Sequence, residues 1–481
     1  MSLFASLSNS SNALTAFDRA LTVTQNNVTN ASTPGYAVQR LNLNARPFDP
    51  TSGLDGGVEA GDVESSRNQF AEAAVGRAQT ALSTVSQQST SLTAVQNALN
   101  LSASNGIPAT LGNFFQSFSA WSQDPVSQAS RQAVVSSAQQ VVDSFHTTVS
   151  NLQQAGQDTD RQISQTVDQI NAYARELQSY NIQIQNGDLN DAALDAKIHT
   201  TLENLSQAVN FTSTIQPNGT VQVMLGGQTP LVLGDQQYNI SDQIAVPANL
   251  PPGNPGVPPT ASILDSAGRD ITAQVAGGTL GALLETHNNV LASLLGDANQ
   301  PGQLNRLAQT FADRVNELLA AGNISDGPPP VSGVDLFSYD TSNATNTAAT
   351  LAVDPAMTPD QLAPIDPGPP YVSNGTALKL AALSNPQAAA DEIDNVSYVG
   401  FFGNLAAGVG RDLSAANDQK SIQQQVVAQA QSLRQQISGV SLDEQAALLV
   451  QFQRAYQANA QLFTVLNSLT ETVVHMLQPM G

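Results

Sequence analysis

The 481-residue sequence predicts a mainly α fold with a smaller β part (α+β): paired N- and C-terminal coiled-coil helices, a long-helix bundle core and inserted β-rich segments. Three observations carry this reading. Apolar residues recur at seven-residue spacing near both ends of the chain, the pattern of a helix that wants a partner helix. Helical periodicity persists through most of residues 61 to 210. At residue 211 the period changes to alternation, the mark of strands.

The first helix carries Leu7, Leu14, Leu21 and Val28, flanked by Leu3, Phe17, Ala13 and Ala20. Asn30 is a suitable stop, since Asn tolerates the left-handed position after a helix. In Thr33-Pro34-Gly35-Tyr36, Pro34 forces Thr33 into an extended conformation, and Pro34-Gly35 suits the centre of a type II turn with Gly35 at positive φ. Tyr36 would be an amphipathic anchor. Beyond it VQRLNLN alternates, so residues 31–60 read as an extended linker.

From about residue 61 the helical pattern returns, with Val75, Ala78, Leu82, Val85, Leu92, Val95 and Leu99 on one face. Leu111, Phe114, Phe115, Phe118 and Trp121 form a second stripe, and SQDPVSQ reads as a helix restart with Asp124 as N-cap. Ile163, Ile170, Leu177 and Ile184 repeat the seven-residue step. These segments, with 278–322 and 376–435, are assigned to an antiparallel helical core built as a bundle. Residues 211–277 read as a β-meander, with Asn218-Gly219 in a two-residue hairpin turn and VPANLPPGNPGVPP as a loop. Residues 323–375 are Pro-rich and irregular or β, with a strand at VDLFSYD.

The C-terminal segment mirrors the first. Ser441 and Glu444 fit a capping box. Leu442, Leu449, Tyr456 and Phe463 fall seven apart, as do Phe452, Asn459, Leu466 and Val473. Residues 1–30 and 440–481 therefore read as one terminal coiled-coil assembly domain.

Composition narrows the function. Net charge is −22, from 39 acidic and 17 basic residues, which argues against nucleic acid or an anionic membrane as partner. Only 12% of residues are charged, so the surface is largely Ser, Thr, Asn and Gln, and few charges need desolvating when copies pack together. Cysteine is absent, excluding disulfides and thiolate metal sites. No basic region precedes an apolar run at the N-terminus, so a cleavable secretory signal is not expected, nor is a membrane span.

Catalytic and metal-binding patterns are missing from the sequence. His146, His199, His287 and His475 lie far apart, none in metal-ligand spacing, and read as ordinary helix-face residues. DLNDAALDAKIH lacks the central Gly and terminal Glu of a calcium loop, leaving Asp188 and Asp191 as turn and cap residues. Asn27-Val28-Thr29 matches the glycosylation pattern, a coincidence in a helix seam. No catalytic, cofactor or metal residue is assigned.

NNVTNASTPGYAVQR (26–40) resembles the signature shared by bacterial flagellar rod, hook and hook-associated proteins. SGVSLDEQAALLVQFQRAYQANAQLFTVLNSLTETVVHML resembles the matching C-terminal motif of the same axial family. Ser438-Gly439-Val440, the segment around Pro125 and Arg131, and NDAALDAKIHTTLENLSQAVNFTSTIQPNGTVQVML are most similar to the hook-associated branch, although DAKI stands where that branch has DQRD. The resemblance implies a structural adaptor rather than an enzyme, joining hook to filament and exported by the flagellar type III apparatus. It implies an extracellular place in the flagellum after a cytoplasmic stage. The implied partners are further copies of the chain in a ring or helix, hook protein, the second hook–filament junction protein and a flagellar export chaperone. The implied assembly residues are Leu7, Leu14, Phe17, Leu21, Val28, Asn30, Thr33, Pro34, Gly35, Tyr36, Leu449, Phe452, Tyr456, Phe463, Leu466 and Val473. The terminal helices would line an inner tube, disordered until neighbours supply the missing apolar partners. The alternatives are another axial protein or a secreted carbohydrate-active enzyme with flagellar assembly ends.

Overall fold

The computed structural model describes residues 3–49, 54–100, 104–187, 191–245, 258–327 and 329–477. Helix α1 (Leu3–Thr29) leads through the Thr33–Tyr36 turn into β1 (Gln39–Ala45). The ladder runs outward through β2 (Phe48–Asp49) and β3 (Leu54–Asp55) and returns along β4 (Val58–Ser65), which pairs antiparallel with β1. The segment expected as an extended linker thus holds the turn, the first strand, the tip and the start of the returning strand of a two-stranded arm. VQRLNLN alternates because the arm packs against α1 on one side and meets solvent on the other.

Helix α2 (Gln69–Leu99) begins at Gln69 rather than near residue 61, because β4 occupies the preceding segment. Asn68 caps it, its side chain accepting from the Ala71 N–H at 3.0 Å. Helix α3 (Ile107–Gln123) buries Leu111, Phe114, Phe115, Phe118 and Trp121. Asp124 then closes α3 instead of opening the next helix; Ser127 is the N-cap of α4 (Gln128–Gln185), accepting from Ser130 N–H at 3.3 Å. Pro125 is held between them, its carbonyl accepting from Trp121 Nε1 (3.2 Å) and Arg131 Nε (2.9 Å). Helix α4 runs for 58 residues and packs against α5 (Ala192–Ala208).

Strands β5 (Phe211–Ile215), β6 (Val221–Leu225), β7 (Thr229–Leu233) and β8 (Gln236–Gln237) form a four-stranded antiparallel meander. Its first loop is not the two-residue type. Gly219 N–H donates to Gln216 O (2.8 Å), Gly219 has φ 82°, and Gln216 N–H donates to Thr220 O (2.9 Å), a three-residue loop with a left-handed Gly. β9 (Ser241–Ala245) pairs with β10 (Thr260–Leu264), and residues 246–257 of the Pro-rich loop lie outside the described residues, as does Asp188.

Helix α6 (Gly278–Glu285) continues through a π-helical turn (Thr286–Leu291) into α7 (Ala292–Leu295), followed by α8 (Gln303–Ala321). Residues 323–375 hold two small ladders, β11 (Asn323–Ser325) with β12 (Val331–Ser332) and β13 (Phe337–Ser338) with β14 (Ala352–Val353), and the single-turn α9 (Thr347–Thr350). The strand expected at VDLFSYD is β13. Helices α10 (Gly375–Ala382), α11 (Tyr398–Ser438) and α12 (Leu442–Leu477) complete the chain.

Two separate apolar clusters form the core. One gathers Phe114, Phe118, Trp121, Phe311, Phe337, Tyr398 and Phe402 from α3, α8, β13 and α11. The other lies between Ile163–Ile184 of α4, α5, α6 and the β-meander. Helix α11 returns antiparallel along α2, with Asn417 opposite Ser89 and Arg434 opposite Glu72, and so brings α12 back beside α1.

Candidate assembly site at the paired chain ends

The Thr33–Tyr36 turn closes with Tyr36 N–H on Thr33 O at 3.2 Å, and Gly35 lies at φ 71°. Its position demands glycine twice over. Positive φ disfavours any side chain, and a Cβ would lie 2.4 Å from Thr200 Oγ1 and 2.5 Å from Ala196 O on α5. Asn30 ends α1 without entering the left-handed region; its side chain donates to Asn26 O (3.0 Å) and accepts from Thr33 Oγ1 (3.1 Å). The stop is made by side-chain hydrogen bonds rather than by backbone reversal.

Asn27 is the residue that sequence reasoning passed over. It is 1% exposed, and every polar atom of its side chain is used. Its Nδ2 donates to Gln39 O (2.8 Å) and Gln445 Oε1 (3.0 Å), while its Oδ1 accepts from Gln39 N–H (2.9 Å) and Tyr36 Oη (2.9 Å). One amide therefore ties together α1, the turn, β1 and α12. Ser438 adds a second tie, accepting from Asn68 N–H (3.2 Å) and donating to Ser66 O (3.1 Å).

Below the turn sits a charged cluster drawn from four distant segments. Arg67, its side chain only 7% exposed, donates to Gly35 O (2.6 Å), Glu72 (2.6 Å) and Asp195 (2.8 and 2.9 Å). Arg434 reaches Glu203 (2.7 Å) and Glu72 (3.3 Å). Planar guanidinium forks suit such multidentate anchoring of a turn. His199 is buried beside them, its Nε2 without a hydrogen-bond partner and 3.7 Å from Asp195. Burial first, then the positive charges of Arg67 and Arg434, push its pKa down to about 3. His199 is thus a neutral buried group, not the ordinary helix-face residue expected.

The pH consequence has a definite sign. Folded His199 stays neutral below pH 6.5 while the unfolded chain takes up a proton, so this contribution to stability falls as pH drops from about 6.5 toward 3. Between pH 6.5 and 5 the loss is roughly 2 kcal/mol. His287 has a raised pKa: burial is the largest influence and opposes the shift, but Asp160 and Asn288 together outweigh it. Its contribution is fully present below pH 6.5 and leaves this window flat. Urea unfolding at pH 6.5 and 5 should show the loss in the native chain and a much smaller one in His199→Gln.

Helices α1 and α12 run antiparallel, with Phe17 against Phe452 at 6.5 Å between ring centroids. The face of α1 buried within the chain is made of small and polar residues, Ser10, Ala13, Ala16, Ala20, Thr24 and Asn27. Small side chains allow α12 and the arm to approach α1 closely from two sides. The heptad residues Leu7, Leu14 and Leu21 flank that face half-buried, and Val28 is exposed. On α12, Leu449, Phe452, Phe463 and Leu466 turn partly toward α1, whereas Tyr456 and Val473 face solvent. The structure adds a second row beside those two heptad series: Leu462, Val465, Leu469 and Met476 are 50%, 55%, 49% and 81% exposed. They step by three, four and seven along one side of α12, an uncovered apolar stripe.

Among the described residues no group of three or more His, Asp or Glu side chains is placed to hold a metal ion, and no helix is long and apolar enough to cross a membrane.

A family model for the helical domain of the flagellar hook-associated protein FlgK matches residues 92–337. A second, for the C-terminal part of flagellar basal body rod FlgEFG proteins, matches residues 422–476. Flagellar hook-associated protein 1 of Bacillus subtilis (strain 168) is 24% identical over 519 residues, covering 98% of each chain. The protein of that name from Escherichia coli (strain K12) is 24% identical over 562 residues, covering 98% of this chain and 99% of its own. The solved flagellar hook junction protein FlgK from Burkholderia pseudomallei superposes with a TM-score of 0.63 at 15% identity, covering 76% of this chain and all of that one, a likeness of fold.

Proposed function

The chain belongs to the family of flagellar hook-associated proteins defined by the FlgK helical domain, and from that premise we propose how it serves as the structural adaptor joining hook to filament. The observation that carries the mechanism is the unequal burial of the paired ends. Within one chain α1 and α12 are anchored at their base by Asn27, Gln445 and Ser438, while Leu462, Val465 and Leu469 stay uncovered. A single subunit leaves that stripe without a partner, and neighbouring copies supply one. The contact is heterologous, so the assembly closes as a ring or grows as a helix, with one end presented to hook protein and the other to the second junction protein. Partly satisfied terminal helices also suit passage through the flagellar type III export apparatus, with an export chaperone shielding the stripe in the cytoplasm before release outside the cell. An enzyme reading finds no support in the family, and neither does assignment as hook protein.

Stoichiometry of isolated hook–filament particles tests the proposal. A junction adaptor is present in a few copies at the boundary; a copy number comparable to that of hook protein would overturn it.

A further inference from the structure

The two apolar clusters do not merge, and the fully buried side chains at the level where they part are polar. Between Leu152 and Ile163 of α4 the only buried side chain is Thr159. Between Ala78 and Leu92 of α2 the buried residues are Ser89 and Ser91. Between Leu284 and Leu291 they are Thr286 and His287, in the first part of the π-helical turn. Helix α11 buries nothing between Ala416 and Val427.

Hydrogen bonds and one ion pair link the helices at this level. His287 Nε2 lies 2.9 Å from Asp160, Gln87 Nε2 donates to Gln162 (3.1 Å), and Ser89 Oγ donates to Asn417 (2.6 Å). Cavities flank α4 on two sides at the same height. One, of about 420 Å³, is lined by Gln153, Gly156, Asp160 and His287 together with apolar Val149, Pro258 and Leu291; the other, of about 360 Å³, by Gln87, Ser91, Gln154, Asp158 and Thr286. Gly156 stands inside α4 at this height. A Cβ there would meet nothing closer than Leu291 Cδ1 at 3.6 Å, so packing does not require the glycine. Glycine inside a helix loosens it relative to alanine.

We propose that this polar waist is a flexural joint: the lobe built on the Phe114–Phe118 cluster bends relative to the lobe built on the Ile163–Ile184 cluster, about α4 near Gly156. Bending there exchanges these polar contacts for water in the flanking cavities and leaves both apolar clusters intact. Packed apolar cores resist continuous deformation, which confines the motion to this level. A subunit that joins polymers of different geometry uses such compliance, a link that rests on the function proposed above. The bend itself is a property of the free chain and is measured there.

The cysteine-free chain allows a clean test by site-directed spin labelling. Ser119→Cys on α3 and Ser179→Cys on the far half of α4 place labels on exposed sites of the two lobes. Ser119→Cys with Ser414→Cys on α11 places both within one lobe. Double electron–electron resonance on the free full-length chain should give an interlobe distance distribution about twice as wide as the intralobe one. Adding Gly156→Ala should narrow the interlobe distribution and leave the control unchanged. An interlobe width equal to the control, or a broad one that Gly156→Ala does not narrow, overturns the joint.

Discussion

Phe118→Asp should abolish accumulation of the folded chain. The Phe118 side chain is fully buried, edge-on to Phe114 at 4.5 Å and beside Trp121 at 6.1 Å. Deleting a buried phenylalanine ring costs about 3–5 kcal/mol in lost transfer and cavity formation. An aspartate adds the cost of a carboxylate with no cationic partner, several kcal/mol more even if it takes up a proton. Together these reach the whole margin of a typical domain, about 5–15 kcal/mol. The nearby Phe311–Phe337 and Phe311–Tyr398 pairs, at 5.3 and 5.7 Å, share the cluster, so the damage spreads through α3, α8 and α11. Expression level and circular dichroism melting check this: little soluble protein, or a transition far below the native one, is expected.

The Phe118 stripe was legible because it is periodic. Side chains at helical steps face one way whatever lies beyond them, and Leu111, Phe114, Phe118 and Ile163, Ile170 and Leu177 are all fully buried. Gly35 was legible for a different reason: Pro34-Gly35 encodes a turn locally, and the φ of 71° belongs to that turn. The contacts that hold the turn in place were not legible. Arg67 meets Asp195 across 128 residues and Arg434 meets Glu203 across 231, separations that no local pattern records. Asn27 was passed over because the sequence shows it only within a coincidental glycosylation pattern, when its four hydrogen bonds make it the tie between both chain ends. At SQDPVSQ the competition was between two residues that can both cap, Asp124 and Ser127, and the carbonyl of Pro125 decided it by engaging Trp121 and Arg131. The arm at residues 39–65 was half legible: its alternation marks a strand, but the returning β4 is separated from β1 by a long reversal, and its segment resembled the start of α2.

The central claim is that the uncovered face of the terminal pair belongs to assembly and not to folding. The double substitution Leu462→Asp with Leu469→Asp puts that claim at risk. Both side chains are about half exposed in the single chain, so two carboxylates there stay hydrated and cost the monomer little. In the assembled junction the same carboxylates must be buried against an apolar neighbour, at several kcal/mol each if the site stays dry. Every 1.4 kcal/mol is about tenfold in an association constant, so attachment should fall by orders of magnitude. The decisive measurement is the melting temperature of the purified variant taken together with the number of attached filaments on cells that express it. The expected result is a native melting temperature, with the variant exported and filament subunits shed unattached into the medium. Normal filament attachment, or a melting temperature lowered as far as that of Phe118→Asp, would contradict the claim.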